Sequence, residues 1–135
     1  MSINQIFGYA FGAVYVAVGL LGFAVTGGVG FVSPEGGLLL GIFEVNPLHN
    51  IVHLAVGAGF ILGAVGGLGS ARLVNTAIGV VYVAVAFLGV IVPESSQANL
   101  LALNVADHAL HFATGALALG VGLAADRSRE AIAVR

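Results

Sequence analysis

The sequence predicts an all-α integral membrane protein, a bundle of four transmembrane helices. Hydrophobic residues make up 59% of the 135-residue chain and charged residues only 7%. Its mean hydropathy is +1.10, far above that of soluble domains. Because one crossing takes about 20 apolar residues, the chain has room for roughly four crossings and short loops, which form a single membrane domain over residues 1–135.

Long apolar runs divide the chain into four predicted helices, at residues 3–26, 46–68, 71–92 and 104–125. Ser2 and Gln5 form the pattern of a capping box before the first helix. Asn46 followed by Pro47 predicts an N-cap and a proline at the first helical position of the second. The runs lack the polar alternation of transmembrane β-strands, which favours helices.

The last two helices also have start signals. Ser70 precedes the third run and is its predicted N-cap. Asn104 with Asp107 repeats the capping pattern before the fourth run. The residues that follow, 126–135, are predicted to form a short polar tail.

The chain contains an internal repeat, with repeat one over about residues 1–68 and repeat two over about residues 69–125. The most similar segment is Tyr15-Val16-Ala17-Val18, which recurs as Tyr82-Val83-Ala84-Val85. In the second helix of each unit, the residues Asn46, His53 and Gly57 recur as Asn104, His111 and Gly115. Two crossings return a chain to its starting side, so the copies are predicted to be related by a pseudo-twofold axis along the membrane normal.

The placement of arginine predicts the orientation. Arg72 lies at the connection between helices two and three, next to the start of the third, and the other three arginines, Arg127, Arg129 and Arg135, lie in the tail. Because positive charge favours the cytoplasmic side, both termini are predicted to be cytoplasmic in a multi-pass protein of the plasma membrane. The histidine-bearing ends of helices two and four then face outside.

All four histidines of the chain lie in the second and fourth helices, at His49, His53, His108 and His111. At about 100° per residue, those of each helix share one side with its asparagine cap and a glycine. Polar side chains are costly in lipid, so we expect both stripes to face the interior of the bundle. Tyr15 and Tyr82, a matched pair, are expected to be packing aromatics with satisfied hydroxyls; the alternative is that they close this pocket from below.

One interpretation of the pocket is a b-type haem held between helices two and four. His53 and His111 would be its axial ligands, since imidazole is a common ligand of haem iron. Gly57 and Gly115 lie one turn beyond them, where a larger side chain would obstruct a flat macrocycle.

Another interpretation is a transition-metal or proton site formed by His49, His53, His108, His111 and Asp107. Spacings of three and four residues bring the paired side chains of one helix together, and imidazole suits Zn, Cu, Ni or Fe. The third interpretation is purely structural: the histidines form hydrogen bonds between helices and bind no cofactor or metal.

The segment from Asn46 to Gly57, with Asn-Pro-Leu-His-Asn-Ile-Val-His at its start, and the later Asn104-x-x-Asp107-His108-x-x-His111 resemble an uncharacterised bacterial family. That family consists of small, actinobacterial-type four-helix membrane proteins catalogued as a domain of unknown function. The resemblance covers nearly the whole chain. It implies a four-span fold with paired Asn-x-x-[His/Asp]-x-x-x-His motifs, and it implies no substrate, cofactor or catalytic residue.

These observations predict a small membrane scaffold or accessory subunit with an outward-facing histidine pocket. Its partners would be the lipid bilayer and either a larger membrane complex or further copies of itself, packed through glycine faces. No catalytic arrangement such as HExxH is present, and a net charge of −2 gives no reason to expect nucleic-acid binding. The alternative is binding of haem b or a transition metal through His53 and His111, in electron transfer or metal handling.

Overall fold

The computed structural model describes residues 1–126, which fold into four α-helices with a short hairpin between the first two. The helices are α1 (Ile3–Gly22), α2 (Pro47–Val65), α3 (Leu68–Ile91) and α4 (Val105–Ala124). The predicted all-helical fold is confirmed. Three helices, α1, α2 and α3, are long and apolar enough to cross a membrane. The predicted polar tail lies outside the described residues except for Asp126.

α4 differs from the other helices in its first two turns. It is 20 residues long, which is sufficient for a crossing. It carries Asp107, His108 and His111 near its start, and these residues lower its mean hydropathy below that of α1 to α3. The fourth crossing therefore stays a prediction.

Three of the four predicted helix starts have the expected caps. Ser2 Oγ accepts the Gln5 N–H at 3.1 Å while Gln5 Oε1 accepts the Ser2 N–H at 3.0 Å, which is a complete capping box. Asn46 Oδ1 accepts the N–H of the third helical residue of α2 at 2.9 Å. Asn104 and Asp107 form a second capping box before α4.

The prediction that Ser70 caps the third helix is wrong. α3 begins at Leu68, and its N-cap residue is Gly67, which has φ +96°. Glycine adopts this left-handed conformation at little cost, so the chain reverses from α2 into α3 at once. The first helix is also shorter than predicted, because the chain beyond Gly22 continues as hydrogen-bonded turns.

The helices pack in two pairs, α1 with α2 and α3 with α4. Each pair crosses at two glycines. A Cβ atom on Gly12 would lie 2.9 Å from the carbonyl oxygen of Gly57, and one on Gly79 would lie 2.9 Å from that of Gly115. Glycine is therefore required for these backbones to approach so closely.

Aromatic rings fill the centre of the bundle. The buried core consists of Tyr15, Phe60, Tyr82 and Ala118, one residue from each helix. The Tyr15 and Tyr82 rings are in an edge-to-face arrangement, with centroids 5.5 Å apart, a favourable geometry for aromatic pairs. This layer forms the floor of the histidine site.

An element that the sequence analysis did not predict is the hairpin of β1 (Gly37–Leu39) and β2 (Phe43–Val45). The strands are antiparallel, with Leu38 opposite Glu44. The hairpin is attached to the start of α4: the Glu44 N–H donates to Asp107 Oδ2 at 3.1 Å and Asn104 Nδ2 donates to the Ile42 carbonyl at 2.9 Å. The first loop thus folds over the end of the bundle where the histidines lie.

Candidate functional site: a buried histidine cluster

α2 supplies two histidines from consecutive turns. The Asn46 cap fixes the start of the helix, and His49 is its third residue. His53 follows four positions later, so its ring lies next to that of His49. The two Nε2 atoms are 3.0 Å apart.

α4 contributes a third ring. The centroid of His111 lies 5.7 Å from that of His49 and 6.1 Å from that of His53. One ring nitrogen of each histidine lies within 4.8 Å of the others, and all three residues are buried. These three residues form what we call the histidine cluster.

Several nitrogens of the cluster lack hydrogen-bond partners. The Nδ1 atoms of His49, His53 and His111 are buried and, within residues 1–126, accept or donate no hydrogen bond. A buried polar group without a partner costs about 1–3 kcal/mol. The protein therefore maintains three imidazoles together in an arrangement that their hydrogen bonds alone do not explain.

The spacing of the nitrogens approaches that of a metal site. Donor atoms at 2.0–2.1 Å from a tetrahedral zinc ion are about 3.3 Å apart. The cluster nitrogens lie within 4.8 Å of one another, so the widest pair would have to close by about 1.5 Å at most, the difference between those two distances.

Two tyrosine rings lie directly against the histidine cluster. The Tyr15 ring lies edge-on to His53 at 5.3 Å between centroids, and the Tyr82 ring contacts His111 at 4.9 Å. The Tyr15 hydroxyl donates to Thr114 Oγ1 at 3.1 Å. Each tyrosine therefore supports the histidine from the other helix of its own pair.

The other two members of the predicted five-residue metal set lie outside the cluster. His108 packs against α3 at Gly89, where its ring occupies the space that a Cβ atom would need. Asp107 Oδ2 accepts the backbone N–H groups of Asn104 and Glu44, each at 3.1 Å. The structure thus brings together three of the five residues.

The glycines predicted to make room for a macrocycle face other helices. A Cβ atom on Gly57 would lie 2.8 Å from the carbonyl oxygen of Gly12, and one on Gly115 would lie 2.9 Å from the Cβ of Tyr82. Their open faces are filled by α1 and α3. The space expected for a haem beside them is therefore occupied by protein.

The first loop also contributes to the site, and the sequence had not predicted it. Glu44, whose N–H binds Asp107, and Leu39 and Phe43 on either side of the hairpin turn lie over the site. The segment is apolar and contains Gly41 in a left-handed conformation, φ +76°. A glycine between short apolar runs is a hairpin signal that the sequence carried.

The fold and the site define a small helical protein with three helices long and apolar enough to span a membrane and a buried cluster of three histidines. The chain belongs to the family described as Domain of unknown function (DUF4383), whose profile matches residues 5–124. This confirms the resemblance to an uncharacterised family. No curated protein and no solved structure matches the chain.

Proposed function

We propose that this protein is a multi-pass membrane protein that binds a transition-metal ion through His49, His53 and His111. The observation that carries the proposal is the convergence of three buried ring nitrogens within 4.8 Å. Buried imidazoles in a nearly charge-free chain are expensive, and a metal ion would stabilise them by binding one unprotonated ring nitrogen of each histidine.

The donor set defines the class of metal. The chain contains no cysteine, so the site offers nitrogen rather than sulfur, which suits Zn, Cu, Ni or Fe. Three protein ligands leave one coordination position of a tetrahedral ion open. The site is therefore suited to holding an ion that takes up or exchanges a fourth ligand, as in metal handling.

A bare ion fits the site better than haem b. The two axial histidines of the haem hypothesis, His53 and His111, are present and close to each other. The faces of Gly57 and Gly115, however, are filled by the neighbouring helices. The tyrosine floor below also leaves no slot for a macrocycle between the rings.

The test is elemental analysis of the protein purified in detergent without added metal, followed by loading with Cu²⁺ and electron paramagnetic resonance. We expect one ion per chain and hyperfine splitting from three nitrogens. The variants His49→Gln, His53→Gln and His111→Gln should each lose the ion or one nitrogen coupling. His108→Gln is the matched control, because its ring lies against Gly89, and it should retain the full signal.

A metal-free protein that also fails to take up added Cu²⁺ would overturn the proposal. Equal loss of metal in His108→Gln and in the cluster variants would do the same, because it would place the ion elsewhere. Elution of each variant at the wild-type position in size-exclusion chromatography separates loss of ligand from misfolding.

The proposed protein lies in the plasma membrane and crosses it four times, with both termini in the cytoplasm. Its four helices form two tandem two-helix repeats. Matching contacts support the repeat. Gly22 accommodates the side chain of Asn50 between α1 and α2, and Gly89 accommodates that of His108 between α3 and α4. Equivalent glycines thus receive the equivalent side chains of the two units, as a pseudo-twofold axis requires.

A second candidate function, an accessory subunit of a larger membrane complex or a homo-oligomer, is favoured by the tip of the hairpin. Leu38, Leu40 and Ile42 expose 54%, 78% and 55% of their surface. Changing all three to serine should shift the protein from a large to a small species in native electrophoresis of membrane extracts. Phe31→Ser, in the same loop and 56% exposed, is the control. An unchanged size would exclude this role for the hairpin.

A further inference from the structure

A cavity of about 120 Å³ lies beside the histidine cluster, between α1, α4 and the hairpin. Its walls are almost entirely apolar. The apolar walls include Val14 and Val18 of α1, Leu110 of α4, and Leu39 and Phe43 of the hairpin. The metal proposal assigns no role to this space.

The cavity opens on the outer surface of the bundle. Three side chains at its rim, Val14, Leu40 and Leu110, expose 56%, 78% and 42% of their surface. The outer surface of a bundle of membrane-spanning helices faces lipid. A molecule dissolved in the bilayer can therefore enter between α1 and α4.

The inner end of the cavity is polar. His53, His111 and Asp107 line it, and the Nδ1 atoms of both histidines are buried without a hydrogen-bond partner among the described residues. Thr114, also in the wall, carries a hydroxyl that is already engaged with Tyr15. An entering polar group thus comes close to two histidines with unpaired Nδ1 atoms and to a carboxylate, at the end of an apolar passage.

We propose that this cavity binds a lipophilic alkylphenol or quinol head from the bilayer, with its ring between α1 and α4 and its hydroxyl at His53 and His111. The cavity is somewhat smaller than the apolar cavity of about 150 Å³ that holds benzene, and because it opens toward lipid at Val14 and Leu110, one ring can enter with its outer edge at the rim. The hydroxyl satisfies the buried polar atoms at the inner end, and the alkyl chain leaves between Val14 and Leu110 into lipid. The site shares two histidines with the metal proposal but does not depend on a bound metal.

The experiment is photolabelling in lipid nanodiscs with an alkylphenol that carries a diazirine in its chain, with the labelled peptides mapped by mass spectrometry. We expect labels on α1 near Val14, on α4 near Leu110 and on the hairpin. Unlabelled para-hexylphenol should compete at about fivefold lower concentration than hexylbenzene, the factor that one hydrogen bond of about 1 kcal/mol supplies. Equal competition by the two molecules would overturn the polar half of the proposal.

Two Val→Phe variants test the place of the ligand. Val18→Phe fills the cavity and should abolish specific labelling, whereas Val80→Phe, on an exposed position of α3, should not. Leu110→Phe is a second filling variant in case the first misfolds. Labelling spread evenly over the lipid-facing helices, or unchanged in both filling variants, would overturn the proposal.

The two proposals fail separately. His49 does not line the cavity, so His49→Gln should lose the metal and keep the competed label. Val18→Phe should lose the label and keep the metal. A wild-type protein that contains no metal but is still labelled would contradict the metal proposal and leave the cavity proposal in place.

Discussion

The Nε2 atoms of His49 and His53 lie 3.0 Å apart in the interior of the bundle. One ring must donate and the other accept, so the two imidazoles hold their protons on different nitrogens. A metal ion held by both Nε2 atoms requires both protons at Nδ1 instead. Metal binding there would replace this hydrogen bond, and the proton on the donating Nε2 would move to Nδ1 of the same ring.

The first prediction is that metal stabilises the fold. An ion that binds only the folded protein raises the free energy of unfolding by about 4 kcal/mol when its free concentration is about a thousand times its Kd. Adding Zn²⁺ to the apo protein should therefore raise the thermal midpoint, followed by circular dichroism. His111→Gln should show little shift and His108→Gln the full shift. An equal shift in both variants would contradict the three-histidine site.

The second prediction concerns pH. Imidazole binds a metal only through an unprotonated nitrogen, so protons compete with the ion. The metal affinity should fall as the pH is lowered from neutral to about 5. Calorimetric titration with Zn²⁺ at both pH values, in two buffers of different protonation enthalpy, measures the affinity and any protons released. An affinity independent of pH would speak against histidine ligands.

The sequence was informative where local rules decide the structure. The capping patterns at Ser2, Asn46 and Asn104 set three helix starts correctly, because a cap involves residues only three apart. The Ser70 prediction failed because Gly67, with its left-handed backbone, ends the connection between α2 and α3 earlier.

The site was predictable only in part, because its members come from elements far apart in the chain. Helical spacing correctly placed His49 beside His53. It could not show that His108 turns toward Gly89 while His111 turns toward α2, since that depends on how α3 and α4 pack. The cavity depends on the hairpin position relative to α1 and α4, which no local pattern reports.

The third prediction tests the glycine crossings. A Cβ atom on Gly12 would lie 2.6 Å from Ile61 Cγ1, and one on Gly79 would lie 2.5 Å from the Leu119 backbone nitrogen. Gly12→Ala and Gly79→Ala should each lower the free energy of unfolding by about 1–3 kcal/mol through overpacking. Gly120→Ala is the control, because no atom lies within 4 Å of its added Cβ. Similar stability of all three variants would contradict the close crossings.

The last prediction concerns the end of the bundle opposite the histidines, where Asn4 joins three segments. Asn4 Nδ2 donates to Asp126 Oδ2 at 3.0 Å, and Asn4 Oδ1 accepts from Asn75 Nδ2 at 3.0 Å. Asn4 and Asn75 are completely buried, so Asn4→Ala leaves the Asn75 amide without that acceptor and should cost about 1–3 kcal/mol of stability. Asn4→Asp should cost more at neutral pH, because a second carboxylate would face Asp126.

Chemical unfolding in detergent, followed by circular dichroism, measures these differences. Gln97→Ala, at an exposed loop position, is the matched control and should remain within about 0.5 kcal/mol of wild type. The Asn4 variants should leave the metal content unchanged, because their side chain lies at the far end of α1 from the histidine cluster. Loss of metal together with stability would instead show that the two ends of the bundle are energetically coupled through the aromatic core.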